Sequence, residues 1–345
     1  MTATNDHGET TSSILPSDDE ALRFWEKVID PRGIGMPAAI AGELASYTGE
    51  TVEEVLRKMD TGKDDLKKLW EESAINPEDP ASVASFYRNQ TVEAYELANW
   101  HCGRTNGTPP LNYARAALFA RGKGLARTLD FGSGIGTGSL CLAEAGCETY
   151  SADIAADLLK IVEHRMKLRG HASHTIDLMG IVKPKKSFFD MITCFDVLEH
   201  VPSQHEKLVE LSSYLKPGGY LIVNLMDDSY HADRPMHISS AGNWLSIVRE
   251  TSMYPIWNKN DHEIQIVRRS RVGRLRNLLA KKDYGRGSVR LQYYFEKEYQ
   301  IDDGDRRYLH LESCRTSRYD AETDAAPSRP EGHRMGVVDH KQRLH

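Results

Sequence analysis

The 345-residue chain has only five cysteines, Cys102, Cys141, Cys147, Cys194 and Cys314. They are odd in number and scattered without CxxC spacing, which excludes a zinc-ribbon signature and a disulfide scaffold and suits a reducing compartment. No run approaches the roughly 18 apolar residues needed to span a bilayer. The polar opening MTATNDHGETTSS lacks the apolar region of a secretory leader. Together these absences lead us to expect a soluble, cytoplasmic protein. A basic excess is missing as well: 44 Lys+Arg stand against 50 Asp+Glu, a net charge of -6. The charge is unevenly placed, with 9 basic and 20 acidic residues in 1–100, and 9 basic residues against the single Asp283 in 268–290.

One further absence decides more. Residues 128–136 read TLDFGSGIG, an apolar run that leads through Asp130 into a turn with Gly132, Gly134 and Gly136. A dinucleotide fingerprint GxGxxG needs Gly or Ala three residues after its second glycine. Counted from Gly132 or from Gly134, that place holds Thr137 or Ser139, so neither register fits NAD. What is present is Asp-x-Gly-x-Gly-x-Gly. Glycines at alternate positions open backbone angles closed to other residues and let the main chain approach a ligand. The next segment, TGSLCLAEAG, carries helical apolar spacing and stops at Gly146. A second β-rich run, CETYSADI, then ends on Asp153, about where a βαβ unit places an acid that accepts from ribose hydroxyls.

These segments resemble class I S-adenosylmethionine-dependent methyltransferases, and the resemblance extends along residues 110–270. A helical stretch over 154–170 leads to a short run ending at Asp177. FFDMITCFDVLEHVP resembles the fourth strand and its loop, and QHEKLVELSSYLKPGGYLIVNL gives a helix, a Pro217-Gly218-Gly219 turn and a fifth strand over 220–225. The fold this implies is α/β, a Rossmann-like seven-stranded methyltransferase core with an N-terminal helical extension. The site it implies places Asp130, Gly132, Gly134, Gly136, Asp153, Ile154, Asp177, Leu178 and Asp196 around S-adenosylmethionine.

The FDVLEHVP segment resembles the ubiquinone-biosynthesis-type O-methyltransferases. In these an acidic-x-x-Glu-His arrangement lies by the acceptor, which here implies Asp196, Glu199 and His200 as ligands of a divalent cation such as Mg²⁺. His200, or His237 in DRPMHISS after the fifth strand, is a candidate general base, because an unperturbed imidazole titrates near neutrality. The expected function is methyl transfer to a small-molecule acceptor, at oxygen ahead of nitrogen or carbon. RNA or protein methylation through the basic 268–290 segment is an alternative, and so is a catalytically silent donor-binding protein.

Around the core, residues 1–17 and 319–345 read as disordered tails. We expect an N-terminal helical extension or lid over 18–110, a donor-binding core over 111–270 and a basic C-terminal extension over 271–318. Within the extension, Asp18, Thr51 and Asp64–Asp65 read as helix starts, and 80–100 reads as one helix. After the fifth strand, SSAGNWLSIVRETSM reads as a helix, and YPIWNKNDHEIQIVRR as two strands joined near 259–261.

Overall fold

The computed structural model describes residues 15–104, 107, 109–224, 234–238, 251, 253–259 and 264–270. Among the described residues six helices precede β1: α1 (Asp18–Ile29), α2 (Met36–Thr48), α3 (Val52–Glu72), α4 (Pro80–Arg88), α5 (Glu93–His101) and α6 (Asn112–Gly122). A βαβα succession follows: β1 (Arg127–Phe131), α7 (Thr137–Glu144), β2 (Glu148–Asp153), α8 (Ala156–Leu168), β3 (His174–Asp177), β4 (Phe189–Cys194), α9 (Gln204–Tyr214), β5 (Leu215–Val223), β6 (Met253–Lys259) and β7 (Ile264–Arg269). The seven strands form one sheet in the order β3-β2-β1-β4-β5-β7-β6. β1 to β5 run parallel, while β7 pairs antiparallel with both β5 and β6. The expected α/β core and its reversed final hairpin are both present.

This topology places the site. The order of the strands reverses at β1, with β2 and β3 laid down on one side and β4 and β5 on the other, so a crevice opens at the carboxyl ends of β1, β2 and β4. Asp130, Asp153, Asp177 and Asp196 all come from strand ends or the loops just beyond them.

The extension differs from its sequence reading in three places. α1 is capped by Ser17, not Asp18, in a reciprocal capping box with Glu20. Asp64 and Asp65 do not open a helix: α3 runs unbroken through both. A Cβ on Gly62 would lie 2.7 Å from the backbone nitrogen of Glu96, so this mid-helix glycine lets α3 and α5 pack backbone to backbone. The 80–100 stretch breaks at Asn89, where α4 ends, and resumes as α5. In β5 the Pro217-Gly218-Gly219 turn lies inside the strand, at a register irregularity against β4. The helix expected from SSAGNWLSIVRETSM, the 271–318 extension and both tails lie outside the described residues, apart from Leu15–Ser17, Thr251 and Met253, the last of which opens β6.

One apolar cluster joins the extension to the core. It runs from Trp25, Ile29, Ile40 and Leu44 through Met59 and Ala98 to Leu140, Val162, Ile222 and Ile266. A buried ion pair reinforces it: Arg165 of α8 donates from Nε to Glu43 of α2 at 2.8 Å and from Nη1 to Ile135 O and Thr137 Oγ1 in the glycine loop.

Candidate active site

The glycine loop has the conformation its sequence demands. Gly132, Gly134 and Gly136 have φ of 73°, 50° and 76°, in the left-handed region that favours glycine. The loop is tied back to β2 by Gly132 N and Ser133 N, which both donate to Ala152 O. Asp130 is turned into the fold, 2% exposed. Its buried carboxylate accepts from Ser139 Oγ at 2.8 Å and Thr193 Oγ1 at 3.0 Å, stapling α7 and β4 to the end of β1. Burial pushes its pKa up to about 6.

Asp153 is oriented by two backbone donors, with Gly134 N 2.9 Å from Oδ2 and Ala155 N 2.9 Å from Oδ1. Each oxygen keeps a lone pair for a diol. Ser133 Oγ in the same loop is buried with no partner among the described residues, as are Asn99 Oδ1 and His101 Nε2 on α5. Such orphaned groups fit a site built for a polar ligand.

Two features of this half were not legible in the sequence. Asp177 is held by Arg88 of α4 in a two-pronged pair, both N···O distances being 3.0 Å, and the same guanidinium donates to Ile154 O. Arg88 holds the Asp177 carboxyl below the usual aspartate range. Leu178 N donates to Asp153 O at 2.8 Å, and Ile154 packs beside Tyr87 and Phe86. Second, α5 covers the glycine loop. A Cβ on Gly134 would lie 2.7 Å from Leu97 Cδ1, and one on Gly132 would lie 2.1 Å from Val197 Cγ2. One turn before Leu97, Glu93 is held by Gln90, and burial and neighbouring Asp153 push its pKa up to about 8.

The loop after β4 holds the second constellation. Asp196 has φ of 56°, unusual for a non-glycine residue, and is fixed on both sides. Its carboxylate accepts from Asn224 Nδ2 at 2.6 Å and Tyr113 Oη at 3.3 Å, while its own N–H donates to Asn224 Oδ1. Asp196 is therefore committed to its neighbours, and His237, rather than Asp196, lies beside Glu199 and His200. Glu199, His200 and His237 each offer a ligand atom within 4.8 Å of the others. The His200 and His237 rings meet edge to face at 4.9 Å.

Within this cluster, Glu199 is 1% exposed, and its Oε2 has no hydrogen-bond partner among the described residues. Burial, then Asp196, raises its pKa. His200 Nδ1 lies 2.9 Å from Tyr87 Oη and 3.1 Å from Met236 O. A carbonyl only accepts, so a bond to Met236 O places the proton on Nδ1 and the lone pair on Nε2. Burial and His237 lower the His200 pKa to about 3, which keeps the ring neutral.

Residues 109–265 match a family model described as a methyltransferase domain. That segment is a class I S-adenosylmethionine-dependent methyltransferase domain. The ubiquinone biosynthesis O-methyltransferase of Xanthomonas campestris pv. campestris is 28% identical over 160 residues, covering 44% of this methyltransferase and 67% of that relative. The protein of the same description from Xanthomonas axonopodis pv. citri is 26% identical over 163 residues, with the same coverage. Among solved structures, the methyltransferase resembles magnesium protoporphyrin IX methyltransferase from Synechocystis, solved with bound S-adenosylmethionine. That pair has a TM-score of 0.44 and 15% identity, covering 58% of this chain and 100% of the other. It also resembles Burkholderia thailandensis 1,6-didemethyltoxoflavin-N1-methyltransferase, with a TM-score of 0.39 and 16% identity, covering 56% and 91%.

Proposed function

We propose that this methyltransferase acts on a hydroxyl of a small-molecule acceptor bound between the glycine loop, α4–α5 and the Glu199–His200–His237 cluster. The observations that carry the reading are the doubly anchored Asp153 carboxylate at the end of β2 and the buried Glu199 after β4, whose Oε2 has no partner among the described residues. The names of the Xanthomonas relatives support oxygen as the methylated atom.

S-Adenosylmethionine supplies a methyl group on a positively charged sulfur that leaves as a neutral thioether, so the protein's work is mainly alignment in a dry site. Asp153 accepts from the ribose hydroxyls, held by Gly134 N and Ala155 N. Gly132, Gly134 and Gly136 hold the loop in its left-handed turn, where Val197, Leu97 and Val162 fill the space a Cβ would need. Ile154 and Leu178 flank the adenine, and Arg88 fixes Asp177 at that end. Asp196 stays with Asn224 and Tyr113 and shapes the floor beneath the transferred group. Leu97 and Val197 cover the loop and exclude water.

For the acceptor proton, Glu199 is better suited than either histidine. Its raised pKa lies closer to neutrality, whereas His200 is a weak base at about 3. His200, fixed by Met236 O and Tyr87, orients the acceptor oxygen, and His237 completes the pocket wall.

A second reading adds a divalent cation held by Glu199, His200 and His237, where resemblance alone would name Asp196, Glu199 and His200. Two imidazoles and one carboxylate suit Zn²⁺, Mn²⁺ or Fe²⁺ better than Mg²⁺, which prefers oxygen ligands. The cation would lower the pKa of an acceptor hydroxyl. We place the protein in the cytoplasm. The basic 268–290 segment, the motive for an RNA or protein substrate, lies outside the described residues beyond Ser270.

The test is calorimetric titration with S-adenosylmethionine, S-adenosylhomocysteine and NAD, repeated on Asp153→Ala. Micromolar binding of the first two, lost in the variant and absent for NAD, supports the donor site. A hydroxylated-acceptor screen with and without Mn²⁺, Zn²⁺ and Mg²⁺ follows. Activity on amines alone would overturn the oxygen assignment.

A further inference from the structure

Beyond the active site, the loop between β3 and β4 departs from the rest of the surface. Seven large hydrophobic residues are exposed among the described residues, and three of them fall within four positions: Met179 at 51%, Ile181 at 100% and Val182 at 74%. The other four, Ile34, Tyr47, Leu168 and Val209, are dispersed along the sequence. Lys183, Lys185 and Lys186 follow at once, all exposed, with no acidic residue between 179 and 186. In a chain of net charge -6, this is an apolar tip on a basic collar.

The loop is built to hold that tip outward. At its start Met179 N donates to Asp177 Oδ1 and Gly180 N to Asp177 O. Lys183 Nζ folds back onto Leu178 O. Pro184 is buried beneath the chain, and Lys185 Nζ sits 5.0 Å from the Phe188 ring centroid. Nearby acids are engaged: Asp177 by Arg88, Asp190 by Lys216, and Glu210, which feels Lys183, by Lys207 and Tyr214. The positive charge of the collar is therefore not cancelled locally.

Three kinds of partner can be weighed. A nucleic acid would gain from the lysines and nothing from Ile181 or Val182, since phosphate contacts are electrostatic. A folded protein partner would need roughly 800 Å² from each side, and three side chains at a loop tip supply a fraction of that. An anionic bilayer meets both halves: its interface accepts aliphatic side chains without shape complementarity, and its headgroups attract lysine.

We propose that the 179–186 loop docks this methyltransferase peripherally on anionic membranes, with Ile181 and Val182 entering the interface and Lys183, Lys185 and Lys186 on the headgroups. Docking would also face the carboxyl end of β3, and with it the Asp177 side of the donor crevice, toward the lipid.

The test is co-sedimentation of the full chain with vesicles of equimolar phosphatidylglycerol and phosphatidylcholine, and with phosphatidylcholine alone. We expect binding to the mixed vesicles and little to phosphatidylcholine. Ile181→Asp with Val182→Asp should weaken partitioning at least about tenfold. Replacing the three lysines by glutamine should weaken it about a hundredfold, near fivefold for each charge removed. These side chains are exposed, so unfolding temperature and S-adenosylmethionine affinity should stay unchanged. Equal partitioning of the wild type and the aspartate variant would overturn the proposal, because it would assign vesicle binding to another segment such as 268–290. Absence of vesicle binding would overturn it too, as would an Ile181-dependent dimer in its place.

Discussion

At the scale of single residues, the active-site acids differ in what they can do because their surroundings differ. Asp153 and Asp130 both close a strand end, yet one keeps lone pairs toward the crevice and the other spends its oxygens on Ser139 and Thr193. Asp153→Ala should therefore abolish donor binding and also cost stability through the Gly134 and Ala155 N–H groups it leaves unpaired, while Asp130→Ala should lower stability by about 1–3 kcal/mol through its unpaired hydroxyls and leave donor binding measurable. Calorimetry and thermal unfolding separate the two. Glu93 offers a pH signature. Its folded pKa of about 8 lies above its ordinary 4.5, so the folded state holds a proton the unfolded chain has lost across that window. The stabilisation is present below 4.5 and lost as pH rises toward 8. Glu93→Gln should flatten the decline of the ligand-free unfolding temperature between pH 5 and 8, and an unchanged slope would contradict this assignment.

At the scale of elements, one contact binds the N-terminal helices to the donor loop and a second binds two of those helices to each other. Arg165, fully buried on α8, joins Glu43 of α2 to the loop oxygens of Ile135 and Thr137. Arg165→Met strands part of the Glu43 charge and frees the loop. We expect a loss of about 3 kcal/mol, near the lower end for a broken buried pair because Arg169 also holds Glu43, together with weaker S-adenosylmethionine binding. The α3–α5 crossing at Gly62 is the second contact. Alanine there would gain about 1 kcal/mol of helix propensity. The obstacle, however, is the Glu96 backbone 2.7 Å away, which has no rotamer to yield. The clash should win, so Gly62→Ala should lower the unfolding temperature and Gly62→Val should lower it further. The same contact explains why α3 was read as two helices. Gly62 followed by Asp64 and Asp65 is a good local stop and start, and only a neighbouring helix makes the glycine useful mid-helix.

At the scale of the whole molecule, the extension and the sheet share one apolar cluster, so they should melt together. Calorimetric unfolding of residues 15–270 is expected to show one transition. A chain beginning at residue 105 would expose the faces of α6, α7 and α8 that Trp25, Ile40, Leu44 and Ala98 cover. It should collapse without the near-ultraviolet signature of a packed core. Two separate transitions, or a folded 105–270 fragment, would show that the extension is an independent lid. The core was legible because each of its elements carries its own local signal: alternate glycines after an apolar run, acids at strand ends, and a Pro-Gly-Gly sequence that marks β5, though inside the strand and not before it. The helices were legible only in outline, since Ser17 and Asp18 are equally good caps on paper and the break at Asn89 has no glycine or proline to mark it.

The sequence by itself determined the donor, because the Asp-x-Gly-x-Gly-x-Gly loop and Asp153 act within one βαβ unit and their geometry follows from short-range backbone constraints. Only the tertiary structure decided the partners of those residues: Arg88 on Asp177, Leu97 over Gly134, and His237 in place of Asp196 beside Glu199 and His200. These pairings join residues some 37 to 89 positions apart. No local pattern encodes them, because they arise from where packing of the α4–α5 helices and the return of the chain after β5 happen to bring side chains together.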